Sequence, residues 1–172
     1  MAKSGWTLAL MRHAKSDWAN EGLSDHDRPL NARGRRDSPE MAKWLAKHDA
    51  VPQVILASTA KRVEDTVQRM VKFWKIEPLI LRVSSLYLAS PLTILEHIRC
   101  EAIDADGKRP SKLLVLGHNP GMEQLVSSLA GINVSMPTAS VALFECDAIH
   151  AEDAEVPNVM RLIAIGRPKE MS

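Results

Sequence analysis

Unbroken apolar runs and helix-period segments take turns along most of this chain, and that alternation predicts a series of strand–helix units. The runs WTLALM (6–11), QVILA (53–57), PLILRV (78–83) and KLLVLG (112–117) carry little polar interruption, as strands covered on both faces do. After the second run, Val63, Thr66, Val67, Met70, Val71 and Trp74 recur at steps of three and four, which puts one apolar stripe on a helix facing the sheet, with Ser58 as its expected N-cap. Ser90 and Pro91 open a further helix bearing Ile94, Leu95 and Ile98, and Asn119 and Pro120 open the one carrying Met122, Leu125, Val126 and Leu129. Asn31 is the expected cap of the first helix, and Pro39 then falls inside it, which requires either a kink there or a restart at Ser38. Trp44 and Trp74 sit on helix faces and read as core. Beyond residue 138, SVALFEC (140–146) and VMRLIAI (159–165), separated by an acidic, Pro-containing stretch, predict a closing hairpin with an exposed loop. The pattern is that of an α/β domain.

Composition narrows the picture without changing it. A length of 172 residues with 45% hydrophobic content suits one globular domain over 1–172 with a full-sized core. The 22 basic and 21 acidic residues nearly cancel, so there is no general basic field to recommend nucleic acid or an anionic membrane as partner, and any anion site has to be local. Cys100 and Cys146 lie far apart in no CxxC pattern, which argues against a disulfide framework or structural zinc and fits a reducing cytoplasm. The start MAKSGW has no apolar stretch of signal-peptide length, and no run approaches the roughly 20 residues needed to span a bilayer. The glycines form neither GxGxxG nor GxxxxGK[ST], which removes the usual nucleotide loops.

The candidate chemistry lies where the strands end. In open α/β sheets, ligands sit outside the carboxyl ends of the strands. The first strand ends in Arg12 and His13, the second leads through STAKR to Arg62 on the first turn of its helix, and the fourth ends in Gly117 and His118. Two arginines and two histidines that converge are costly to assemble without an anion, because like charges repel and partial burial penalises each. A phosphoryl group would relieve that cost: its oxygens accept forked bonds from guanidinium groups, and nearby helix N-termini add oriented amides.

Four segments occur in order: RHAKSDW after the first strand, DRPLNARG before the first helix, STAKRVEDT after the second strand, and GHNPG after the fourth. Together they resemble the histidine phosphatase superfamily, or phosphoglycerate mutase-like fold, and more closely its compact phosphohistidine phosphatase branch, the SixA type. The resemblance runs from Leu10 to the hairpin after Thr138. It implies a three-layer α/β/α sandwich on a mainly parallel mixed sheet, with His13 as nucleophile and Arg12, Arg62 and His118 holding the phosphoryl oxygens, no cofactor, and no metal. The charge would come from Arg12, Arg62 and a partly protonated His118. Histidine suits the nucleophile's role, since a neutral imidazole is available near pH 7 without a strong base.

Departures from the wider family sharpen the expectation. Mutase-type members carry RHG and then a Trp-Asn pair, whereas this chain has Ala14 after His13 and Ala19 after Trp18, while Ser16 remains at its usual place as a substrate contact. Those members also supply a glutamate acid beyond the conserved arginine, and the matching stretch SSLYLAS (84–90) has no carboxylate. An alkoxide leaves poorly unless protonated, but a phosphorylated imidazole can take a proton on its other nitrogen and depart neutral. His118 follows Arg62 by 56 positions already filled with two helices and a strand, so an inserted lid does not fit. An open site suits a protein-borne phosphohistidine, such as that of a phosphotransfer domain, with a small phosphorylated substrate as the alternative. The remaining readings are a phosphatase for another phosphomonoester or phosphoramidate, and a module that binds phosphorylated partners without turnover. Arg28 either faces the phosphate or pairs with Asp25 or Asp27; Asn119 is a cap first and a substrate contact second. Asp25, His26 and Asp27 lack metal-ligand spacing and read as solvated, as does Lys15.

Overall fold

A computed structural model of the chain describes residues 5–146 and 160–171. The acidic stretch between the last two apolar runs lies outside the described residues, as do the first four residues. Six strands form one sheet: β1 (Trp6–Arg12), β2 (Val54–Ser58), β3 (Leu79–Val83), β4 (Lys112–Gly117), β5 (Val141–Cys146) and β6 (Met160–Gly166). Their order is β3-β2-β4-β1-β5-β6. The pairs β2/β3, β2/β4 and β1/β4 are parallel, while β5 runs antiparallel to both β1 and β6. Each apolar run identified from the pattern thus becomes a strand, and the mainly parallel mixed sheet is that of the expected α/β fold.

Four helices pack on this sheet: α1 (Ala32–Lys47), α2 (Lys61–Trp74), α3 (Pro91–Cys100) and α4 (Gly121–Ala130). Because successive strand residues point to opposite faces, the central strands feed two separate cores. Leu8, Leu10, Leu56 and Val115 join Ile94, Ile98, Met122 and Leu125 of α3 and α4 on one face. Ala9, Met11, Ile55 and Leu114 join Met41, Leu45, Val63 and Met70 of α1 and α2 on the other. Trp44 and Trp74 are partly buried against the second core.

Several local expectations resolve at the helix ends. Asn31 caps α1 by accepting from the Gly34 amide at 2.9 Å, and Ser90 caps α3 by accepting from the Thr93 amide. Pro39 lies inside a continuous α1, so there is no restart at Ser38; that serine's hydroxyl instead donates to the Gly34 carbonyl. Two cap assignments are overturned. Ala60, not Ser58, stands at the N-cap of α2, and Pro120, not Asn119, at that of α4. Both side chains are used elsewhere, at the carboxyl end of the sheet. Among the described residues no helix is long and apolar enough to cross a membrane.

Candidate active site

Register places the two histidines side by side. Arg12 pairs with Gly117 across the parallel ladder of β1 and β4, so the next residue of each strand, His13 and His118, leaves the sheet at the same level. The His13 amide continues the ladder by donating to the Gly117 carbonyl at 3.1 Å. The ring centroids stand 5.1 Å apart. Arg62, on the first turn of α2, reaches both rings and is 2% exposed, as is His118. With Arg12, Lys15, Ser16, Trp18, Asp25, Arg28, Leu88, Asn119 and Thr138 they line an open cleft of about 300 Å³. All seven residues singled out from the sequence therefore meet in one place: Arg12, His13, Ser16, Arg28, Arg62, His118 and Asn119.

The hydrogen bonds fix the tautomers. His13 Nδ1 lies 2.7 Å from the Ala14 carbonyl, which can only accept, so Nδ1 carries the proton and Nε2 the lone pair. That lone pair accepts from Arg62 Nε at 3.1 Å. His118 Nδ1 faces Arg62 Nη2 at 3.2 Å, and a guanidinium can only donate, so Nδ1 is the acceptor. His118 Nε2–H then donates to Ser58 Oγ at 2.8 Å, which is what the serine does in place of capping α2. Burial, chiefly, pulls the His13 pKa down to about 3, and burial followed by the Arg62 charge does the same for His118. Both rings are neutral, which corrects the expectation of a partly protonated His118.

Arg28 and Asn119 are held by neighbours. Arg28 Nη2 meets Asp25 Oδ1 at 2.5 Å, Nη1 donates to Ser16 Oγ at 3.1 Å, and the guanidinium lies 3.4 Å from the centroid of the Trp18 ring. Arg28 thus pairs with Asp25 and lines the cleft at once, so the two alternatives were not exclusive. Asn119 Nδ2 donates to the Met136 carbonyl at 3.0 Å and to Glu123 Oε2 at 3.3 Å. Arg12 Nη1 donates to that same carbonyl at 3.1 Å. The buried Nε of Arg12, the buried Nε of Arg28 and the buried Asn119 Oδ1 have no partner. Unsatisfied buried donors on two guanidinium groups beside one cleft are what an anion site requires.

Asp25 is the residue the sequence reading undervalued. Its Oδ2 accepts from the Tyr87 hydroxyl at 2.5 Å and from Arg62 Nη2 at 3.0 Å, and its backbone carbonyl takes Arg62 Nη1. Asp25 is therefore a member of the site although its side chain stays exposed to solvent, and Lys15 also lines the cleft. The Tyr87 hydroxyl first, then Arg28 and Arg62, hold the Asp25 carboxyl well below the usual carboxylate range. Among the described residues lining the cleft it is the only carboxylate. Neighbouring Asp27 accepts from Ser24 at the surface, and no group of three or more His, Cys, Asp or Glu among the described residues is placed to hold a metal ion.

Comparison with known proteins points to one family and fold. A family model described as the histidine phosphatase superfamily (branch 1) matches residues 8–82. An uncharacterized chloroplastic protein of Arabidopsis thaliana is 30% identical over 151 residues, covering 86% of this chain and 69% of that one. An uncharacterized protein of Mycobacterium tuberculosis is 31% identical over 170 residues, covering 92% of this chain and 100% of the other. A crystal structure from Agrobacterium tumefaciens, assigned as the phosphohistidine phosphatase SixA, superposes with a TM-score of 0.78 at 26% identity, over 95% of this chain and 98% of that one.

Proposed function

Because the chain belongs to the histidine phosphatase superfamily and is a phosphatase, we propose that it removes the phosphoryl group from protein-borne phosphohistidine, through a covalent intermediate on His13 Nε2. In this reading the phosphoryl oxygens take the N–H groups of Arg12 and Arg62, and His118 joins them by taking a proton on Nδ1 as the anion enters, since Nδ1 is an acceptor in the free site. Fixed cationic donors suit the loose transition state of phosphoryl transfer, which concentrates charge on the equatorial oxygens. His13 Nε2 attacks phosphorus as the bond to the substrate imidazole breaks. That imidazole, protonated on its other nitrogen, departs neutral. Water then attacks phosphorus and His13 departs in turn with Nδ1–H still on the Ala14 carbonyl; one water proton stays on the phosphate and the other goes to solvent.

The observation that carries the substrate class is the state of Asp25. A phosphomonoester needs an acid to protonate its leaving alkoxide, and this carboxylate, bound by Tyr87, Arg28 and Arg62, has no proton to give near neutral pH. A nitrogen-linked phosphoryl group needs none. The test compares wild-type turnover of a phosphohistidine-bearing phosphotransfer domain, 4-nitrophenyl phosphate and 3-phosphoglycerate. The first two should be hydrolysed and the last poorly. Brief labelling should leave an acid-labile, base-stable phosphoryl group that His13→Ala abolishes. If phosphoglycerate turns over as fast as phosphohistidine, and Asp25→Asn removes only that activity, the enzyme has a working acid and is a phosphomonoesterase.

A further inference from the structure

The cleft has a cationic floor and an apolar mouth. Arg62 and His118 at the bottom are 2% exposed, whereas Trp18 and Leu88, which line the same cleft, are 66% and 54% exposed. Neither is placed there by the needs of the core. Trp18 is nonetheless held: its ring stacks on the Arg28 guanidinium at 3.4 Å, and Arg28 is fixed by Ser16 and Asp25. Leu88 has φ of 51°, a left-handed conformation that is unfavourable for a non-glycine residue and gains it no burial here. Strain that presents an apolar side chain to solvent at the edge of a binding cleft points to a ligand.

Resting on the phosphohistidine reading, we propose that Trp18 and Leu88 form a clamp for the imidazole ring of the substrate's phosphorylated histidine. The phosphoryl group is anchored at the floor, so the ring it leaves lies at the height of the mouth. That ring is flat, largely apolar on its faces, and cationic when protonated for departure. An indole face suits it on both counts. The clamp acts on the leaving group, not on the phosphoryl group, and so sets specificity without taking part in bond making.

The experiment measures kcat/KM for phosphohistidine and for phosphoramidate, whose leaving group, ammonia, has no ring. In Trp18→Ala and Leu88→Gly the ratio of the two values should fall about tenfold, the size of one ring contact of about 1.4 kcal/mol. Trp18→Phe should restore most of it. Leu88→Gly also separates the proposal from a folding defect, since glycine relieves the positive φ and should keep or raise Tm. An unchanged ratio in both alanine and glycine variants overturns the clamp, whether the absolute rates fall together or stay put. Failure of the wild type to hydrolyse phosphohistidine would instead overturn the underlying reading. The clamp is then judged by the same ratio on 4-nitrophenyl phosphate against acetyl phosphate, leaving groups with and without a ring.

Discussion

Arg62 has every nitrogen at its tip engaged: Nε on His13 Nε2, Nη1 on the Asp25 carbonyl, and Nη2 on the Asp25 carboxylate and His118 Nδ1. An arriving phosphoryl group therefore exchanges for existing partners, and the one it must displace first is the arginine N–H capping the His13 lone pair. Arg62→Ala should lower kcat/KM on the order of a hundredfold or more, the usual loss for a desolvated donor at a transition-state oxygen. Arg28→Ala should cost less, because Arg28 meets Ser16, Asp25 and Trp18, whereas Arg62 touches the rings of His13 and His118; equal, mild losses in steady-state kinetics would remove Arg62 from the chemistry. The two histidines make a separate prediction. With pKa values near 3, the ring resonances of His13 and His118 should not titrate between pH 5 and 8 in the free protein. A midpoint near 6.5 for either, followed by NMR, would mean that burial does not keep it neutral. Since the proposed mechanism takes its fixed charge from Arg12 and Arg62, incubation with EDTA should leave turnover intact; loss restored by magnesium would contradict that assignment.

At the scale of elements, the cleft depends on close approaches that glycine permits. A Cβ on Gly121, the first residue of α4, would stand 1.9 Å from the Ala89 carbonyl oxygen. Ala89 belongs to the segment that presents Tyr87 and Leu88, and α4 begins three residues after His118. Gly121→Ala should therefore push the two apart, costing about 1–3 kcal/mol of stability and lowering activity as well; an unchanged Tm would show that the contact is easily relieved. The elements themselves were legible because their signals are local. Continuous apolar runs locate the six strands, and a three-to-four spacing locates the inward stripe of α2. The errors came where local and distant partners compete. Ser58 has the composition of a cap, but a ring 60 positions away takes its hydroxyl. Asp25 sits in an Asp-His-Asp run that looks solvated. Only the return of its loop onto the start of α2, through the Lys61 amide on the His26 carbonyl and His26 Nε2 on Thr59 Oγ1, carries it to Arg62. Tyr87 carries no signal of its own in the sequence, because its hydroxyl joins the site only through the Asp25 carboxylate.

For the whole molecule, two buried neutral histidines couple folding to acidity. Their folded pKa values, about 3, lie below the 6.5 of an exposed ring, so the unfolded chain binds more protons between those values. Stability is then complete above pH 6.5 and declines as pH falls through that window. The urea midpoint should drop between pH 7 and pH 5, and His118→Asn should lessen the drop; a midpoint constant over that range would sink the linkage. The sheet adds a consequence of another kind. β1 lies between β4 and β5, and the His13 amide is itself a rung of the central ladder, bound to the Gly117 carbonyl. Its hydrogen can exchange with solvent only when β1 parts from β4, which means opening both cores together. The slowest-exchanging amides of the protein should therefore include the one at His13, and any partly opened form that survives in the cell should retain the cluster around His13 until the molecule opens as a whole.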